Sequence, residues 1–169
     1  MTALTNTIQG AAGDDLILAL GGNDTLLAGS GNDDVRGGAG KDILIGQSGV
    51  DKLTGGSGAD LFQYFGFTTL TSPGDSAVDI GKRDVIGDFV KDVDKIDLHF
   101  ADAKTSVGNL GNQDFSFRGG NAFSAEGQIR VFTEGANTIV QVNNGGDLFA
   151  EGEIQLTGVF NLAAGDFIL

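Results

Sequence analysis

The sequence predicts an all-β chain in two parts, residues 1–63 and residues 64–169, and three observations carry that expectation. A nine-residue unit recurs six times without a break over residues 10–63. Twenty-nine glycines against a single proline point to repeated tight turns, since glycine takes left-handed backbone angles without steric cost. Past residue 63, apolar and polar residues alternate in short runs, as half-buried strands require.

The six units are GAAGDDLIL (10–18), ALGGNDTLL (19–27), AGSGNDDVR (28–36), GGAGKDILI (37–45), GQSGVDKLT (46–54) and GGSGADLFQ (55–63). Position four is always glycine: Gly13, Gly22, Gly31, Gly40, Gly49 and Gly58. Position six is always aspartate: Asp15, Asp24, Asp33, Asp42, Asp51 and Asp60. Position eight is always apolar: Ile17, Leu26, Val35, Leu44, Leu53 and Phe62. Glycine-rich positions one to six predict a turn, and positions seven to nine a short strand with its eighth residue pointing inward. Nine residues then make one turn and one strand, and two units close a coil. Alternate units stack on the same edge, so Asp15, Asp33 and Asp51 form one column and Asp24, Asp42 and Asp60 the other.

Stacked strands lie about 4.8 Å apart. Carboxylates at that spacing repel by roughly 3–4 kcal/mol per pair at an effective dielectric near 20. Several such pairs rival the stability of a whole domain, about 5–15 kcal/mol. The columns therefore require a cation between them. Calcium accepts carboxylate and carbonyl oxygens in flexible shells of six to eight, whereas magnesium demands tight octahedral geometry. Zinc prefers His or Cys, and this chain has one His and no Cys. The expected donors are the six aspartates, with backbone carbonyls from the position-four glycines and from Gly38 and Gly56. The register allows four inter-coil sites: units one–three, two–four, three–five and four–six. Departures from the glycine pattern fall at Ala11, Ala19-Leu20, Ala28 and Gln47. They touch positions that act through the backbone, so they weaken turns rather than remove ligands.

Composition narrows the function further. A net charge of −13 argues against nucleic-acid binding, because no basic face could dominate such a field. The absence of cysteine excludes disulfides and thiolate metal sites. No apolar run approaches the ~20 residues of a membrane-spanning helix, and the N-terminus lacks the basic and hydrophobic regions of a classical cleaved signal peptide.

In the second part, strands are expected in RDVIGDF (83–89), DKIDLHF (94–100), DFSFRG (114–119), GQIRVFT (127–133), NTIVQVNN (137–144) and GEIQLTGVF (152–160). Eleven of the twelve phenylalanines lie past residue 63, where they read as core aromatics. Residues 66–82 read as a loop with room for one short helix.

The nonapeptide matches the G-G-x-G-x-D-x-U-x signature of calcium-binding parallel β-helices. With the segment RDVIGDFVKDVDKIDL (83–98) and the ending AGDFIL (164–169), the chain resembles the RTX C-terminal domains of serralysin-type proteases and other type I-secreted bacterial proteins. That resemblance implies a parallel β-roll continuing into a β-sandwich-like cap. It implies a secreted, extracellular protein of a Gram-negative bacterium, exported by an ABC-transporter apparatus that reads Asp166, Phe167, Ile168 and Leu169. It also implies further calcium ligands at Asp84, Asp88 and Asp97, which as bare residues read equally well as solvated strand-edge carboxylates. No H-E-x-x-H, G-x-S-x-G or P-loop is present, so the expectation is a calcium-binding module without catalysis, accessory to a secreted enzyme or toxin. The alternative is an anionic-polysaccharide (alginate) binding module, similar to the R-modules of mannuronan C5-epimerases. Arg36, Lys41, Lys52, Lys82, Arg83, Arg118 and Arg130 are its candidate contacts.

Overall fold

A computed structural model describes residues 4–65, 83–101, 114–145 and 148–169. The loop expected at 66–82, and Lys82 with it, lies outside the described residues. The first half contains seven strands: β1 (Thr7–Ala12), β2 (Leu16–Leu18), β3 (Thr25–Ser30), β4 (Asp34–Ala39), β5 (Ile43–Ser48), β6 (Lys52–Ser57) and β7 (Leu61–Gln63). They coil into two parallel sheets, with β1, β3, β5 and β7 in one and β2, β4 and β6 in the other. The register is eighteen residues throughout: Leu26 pairs with Leu44 and Val35 with Leu53.

The strands are longer than the sequence suggested. Each full strand starts at position seven and runs to position three of the next unit, so the turn contracts to positions four to six. The ladder skips position one, where Ala28 and Gly46 lie between the pairs Leu27–Ile45 and Gly29–Gln47. The chain bends at that skip and resumes pairing beyond it. Within the six repeats, left-handed backbone is confined to positions two and four; Gly38 (φ 109°) and Gly40 (φ 139°) show both in one turn. Ala11, Leu20 and Gln47 occupy position two with φ of 133°, 72° and 69°, a conformation that costs a residue with a Cβ about 1–2 kcal/mol.

Both sheets continue past residue 63. Strand β8 (Asp84–Ile86) pairs parallel with β6, and β9 (Lys95–Asp97) with β7. Strand β13 (Gly152–Thr157) extends the first of these sheets parallel to β8. The antiparallel strands β12 (Asn137–Asn143) and β11 (Gln128–Glu134) follow, then the short β10 (Ser116–Phe117). The last strand, β14 (Phe167–Ile168), pairs parallel with β9. All six strands expected in the second part are present, and among the described residues there is no α-helix.

One row of inward residues runs the length of each sheet. Ile8, Leu26, Leu44, Phe62, Ile96 and Phe167 are consecutive partners in one sheet. Ile17, Val35, Leu53, Ile86 and Leu156 are consecutive partners in the other. Both rows belong to one core cluster. Full burial of each such side chain contributes about 1.5–3 kcal/mol, so the position-eight residues hold the two sheets face to face.

Candidate metal centre

Position six ends each turn and precedes each strand, which sets the aspartates in two columns at the edges of the roll. Asp24, Asp33, Asp42, Asp51 and Asp60 are at most 2 % exposed. Each column is laced by its own carboxylates. The Asp15 N–H donates to Asp33 Oδ1 at 2.8 Å, and the Asp33 N–H to Asp51 Oδ1 at 2.8 Å. Opposite, the Asp24 N–H donates to Asp42 Oδ1 at 2.8 Å and the Asp42 N–H to Asp60 Oδ1 at 2.9 Å.

The structure extends both columns beyond the repeats. The Asn6 N–H donates to Asp24 Oδ1 at 2.7 Å. The Asp51 N–H donates to Asp84 Oδ1 at 2.8 Å, and the Asp60 N–H to Asp94 Oδ1 at 3.0 Å. Asp94 was not among the residues the sequence singled out, because the nine-residue spacing has lapsed there. A signal was nonetheless present: Asp84-Val85-Ile86 and Asp94-Lys95-Ile96 repeat the Asp-x-apolar order of every unit. A second lacing at position five was also missed. Asp14 Oδ1 accepts from the Asn32 N–H, Asn23 Oδ1 from the Lys41 N–H and Asn32 Oδ1 from the Val50 N–H, at 2.8–3.0 Å.

With Oδ1 committed to the neighbouring coil, the second oxygen decides the chemistry. The Oδ2 atoms of Asp24, Asp33, Asp42 and Asp60 are buried and accept no hydrogen bond. A buried carboxylate oxygen left in this way costs several kcal/mol unless a cation or proton meets it. Backbone oxygens lie beside these atoms. A Cβ added to Gly37 would run into Asp42 Oδ2 and lie 2.7 Å from the Gly55 carbonyl oxygen. One at Gly10 would lie 2.7 Å from Asp15 Oδ2 and run into the Ala28 carbonyl oxygen. Position one is thus a floor over which a carboxylate from one coil and a carbonyl from the next come together. Position four supplies a second row: the carbonyls of Gly13, Gly22, Gly31 and Gly40 point at Gly31, Gly40, Gly49 and Gly58 of the following coil. At position two the Leu20 carbonyl points at Gly38 and the Gly38 carbonyl at Gly56.

Among the described residues no three His, Cys, Asp or Glu side chains converge on one point. A cation here would be held by one or two carboxylates and by backbone carbonyls. That all-oxygen donor set suits calcium and offers zinc nothing it prefers.

Toward the end of the Asp24–Asp42–Asp60 column the surroundings run against carboxylate charge. Burial pushes Asp60 up to about 6; the hydrogen bond from the Asp42 N–H opposes the shift, while the charges of Asp94, Asp42 and Asp88 add to it. Asp42 and Asp94 are raised in the same way, chiefly by burial.

Asp88 lies at the junction of roll and cap, where both of its oxygens accept from the Gly55 and Gly56 N–H groups at 2.9 and 2.8 Å. Asp97 is occupied with Gln63 Nε2 and the His99 N–H. Asp166 is buried, and its oxygens accept from the Asp92 N–H at 3.1 Å and the Ala163 N–H at 2.8 Å. Of the basic residues, Arg83 is buried against Glu134 at 2.9 Å and Glu153 at 3.3 Å, which removes it from any outer surface. Arg130 lies over the Phe123 ring at 4.7 Å and donates to Gln141.

Comparison with known proteins agrees with this geometry. The family model of the RTX calcium-binding nonapeptide repeat, four copies long, matches residues 2–35 and 27–62. No curated protein sequence matches the chain. Among solved structures, the AlgE6R3 subunit of the Azotobacter vinelandii mannuronan C5-epimerase is 26 % identical, with a TM-score of 0.60 over 94 % of this chain and 79 % of that one. The AlgE6R2 subunit of the same epimerase is also 26 % identical, with a TM-score of 0.60 over 98 % of this chain and 92 % of that one. Residues 2–62 thus match the RTX calcium-binding nonapeptide repeat, and the chain winds into a parallel β-roll similar to the R-modules of a mannuronan C5-epimerase.

Proposed function

We propose that the chain is a calcium-triggered folding module of a secreted bacterial protein, accessory to a catalytic or toxic partner domain and itself without catalytic activity. The observation that carries this reading is the file of buried Oδ2 atoms, in Asp24, Asp33, Asp42 and Asp60, that accept no hydrogen bond. Calcium, when bound, supplies the positive charge these oxygens lack. The aspartates and the carbonyls of positions one, two and four hold it; Asp84, Asp88 and Asp94 continue the donor set toward the cap. Where calcium is scarce, the repulsion within the columns and the entropy of 29 glycines keep the chain unfolded and able to thread an export channel. Extracellular calcium sites work at roughly 10⁻⁴–10⁻³ M, so the roll forms outside the cell. In this reading Asp166, Phe167, Ile168 and Leu169 are the signal for an ABC-transporter apparatus.

Circular dichroism tests the first half: a coil spectrum in chelator should convert to β structure at millimolar calcium, and a β spectrum indifferent to chelator would sink the reading. Export of a chain lacking residues 166–169 at the normal rate would remove the signal.

A second reading, an alginate-binding module, draws on the likeness to the epimerase subunits. The exposed Arg36 and Lys52 support it, since they lie on adjacent strands β4 and β6 with side chains outside the core. Calorimetry with alginate oligomers in calcium decides it; no heat at millimolar ligand counts against it.

A further inference from the structure

The acidic column that starts at Asn6 does not stop at the last repeat. Its sheet runs β1, β3, β5, β7, β9 and then β14, so the last residues of the chain form its sixth strand. Phe167 pairs with Ile96, in the row begun by the position-eight residues, and is 6 % exposed. Its ring lies 5.4 Å from that of Phe117. The Leu98 N–H donates to the Ile168 carbonyl at 2.8 Å, and Lys95 Nζ donates to the Gly165 carbonyl. Asp166 precedes β14 as the column aspartates precede their strands, and its Oδ1 takes the N–H of Asp92 in the turn before β9, while the Asp94 N–H bonds the Val90 carbonyl. Leu169 packs against the core.

These contacts depend on β9, and β9 depends on the column. A two-residue strand cannot persist without a neighbour already in place. Strand β9 is fixed by β7 and by the Asp60 N–H to Asp94 hydrogen bond, one rung beyond the last repeat. When that column comes apart, Asp166–Leu169 lose their partners on β9 and in the turn before it, which leaves the Phe117 ring contact from the other sheet.

We propose that calcium loading and exposure of Asp166–Leu169 are mutually exclusive, so that the folded module withdraws its own terminal segment from any protein that reads it. This rests on the export reading for the identity of that reader, the transporter. The coupling itself stands on the sheet. The chain presents the segment to the apparatus while free of calcium, and folding takes the segment back into the sheet and releases the reader.

The test is the release of Leu169 and Ile168 from the 169-residue chain by a carboxypeptidase, in chelator and in millimolar calcium, with circular dichroism read in parallel. Release should be at least about tenfold slower in calcium, since trimming then waits for local opening. Equal release rates across a genuine coil-to-β transition overturn the inference alone. A spectrum that calcium does not change, with release slow in both conditions, overturns the calcium-folding reading and the gating together. Asp166→Asn, which keeps the size but leaves one oxygen to accept and turns an NH2 donor toward the other N–H, should speed release in calcium about tenfold while the roll spectrum is retained. No acceleration would remove Asp166 as the clasp. Export of a chain truncated after residue 165 would refute the transporter as reader and leave the carboxypeptidase result standing.

Discussion

The backbone N–H of Asp42 donates to Asp60 Oδ1 at 2.9 Å, and the N–H of Asp60 donates in turn to Asp94 at 3.0 Å. Asp60 therefore joins the last repeat to the cap, with one oxygen spent on the neighbouring coil and the other buried and free for a cation. Asp60→Asn should separate those two roles. It keeps an oxygen for the Asp42 N–H and removes the charge, so in chelator the variant should be more stable than the parent. In calcium the order should reverse, with a loss of about 1–3 kcal/mol from the weakened site. Residual β signal of both proteins in chelator and thermal unfolding of both in calcium check this; variant and parent ranked alike in both buffers would refute it.

Acid should do part of what calcium does. Asp60 is raised to about 6 in the fold, and Asp42 and Asp94 are raised too, all above the usual value near 4 of an unfolded chain. For a carboxyl raised on folding, the native state binds more protons than the unfolded one between those two values. Stability without calcium is then greatest below pH about 4 and falls as pH rises through about 6. Calcium-stripped protein should gain β signal between pH 7 and pH 5, and the calcium midpoint should shift to higher concentration over the same range as protons compete. A metal-free roll that loosens on going from pH 7 to 5 would contradict the assignment.

The repeat positions were legible because one physical demand recurs in each. Position eight must face the core, position six must precede a strand at the column, and position four must turn left-handed under the next coil. Strand length was not legible. The bend at position one, seen where Ala28 and Gly46 drop out of the ladder, looks in sequence like part of a glycine turn. Asp94 escaped because its offset from Asp60 is 34 residues rather than 18, which breaks the period. The position-five lacing escaped because Asp14, Asn23 and Asn32 serve it while Lys41, Val50 and Ala59 fill the same position without an acceptor.

Position one offers a way to delete a site without touching a carboxylate. A Cβ at Gly37 would run into Asp42 Oδ2 beside the Gly55 carbonyl, although the backbone there is not left-handed. Gly37→Ala should therefore leave the roll foldable, as Ala19 and Ala28 at the same position attest, and should cost calcium affinity about tenfold at one site. Calcium titration by calorimetry should show one weakened class of ion. An unchanged isotherm would mean the Asp42 carboxylate does not act over Gly37.

Gln47 holds φ of 69° where Gly38 and Gly56 serve the same position in other units. Gln47→Gly relieves left-handed strain of about 1–2 kcal/mol but adds unfolded-state entropy of about 0.5–1 kcal/mol. The net should be a gain of about 0.5–1 kcal/mol, read as a higher melting temperature in calcium. Gly38→Gln should do the opposite and more strongly, because its side chain would also meet the Leu20 carbonyl. A destabilised Gln47→Gly variant would show that the Gln47 side chain contributes something its backbone angle does not reveal.

The cap carries its own charge problem, independent of calcium. Arg83 is 3 % exposed and lies between Glu134 and Glu153, of which Glu153 is nearly as buried. Glu153 also accepts from Gln141, its in-register partner on β12, and Gln141 accepts from Arg130 on β11, so one polar row crosses three strands and ends at Arg83. A buried pair of this kind is a poor source of net stability, yet removing one member strands the other charge at a cost of about 3–5 kcal/mol. Arg83→Leu should therefore destabilise the calcium-loaded protein by about that amount, read by urea unfolding. Arg83→Leu combined with Glu153→Gln should recover a large part of it, because the stranded charge is gone. If the double variant is no more stable than the single one, the cost lies in lost packing of the Arg83 stem rather than in the charge of Glu153.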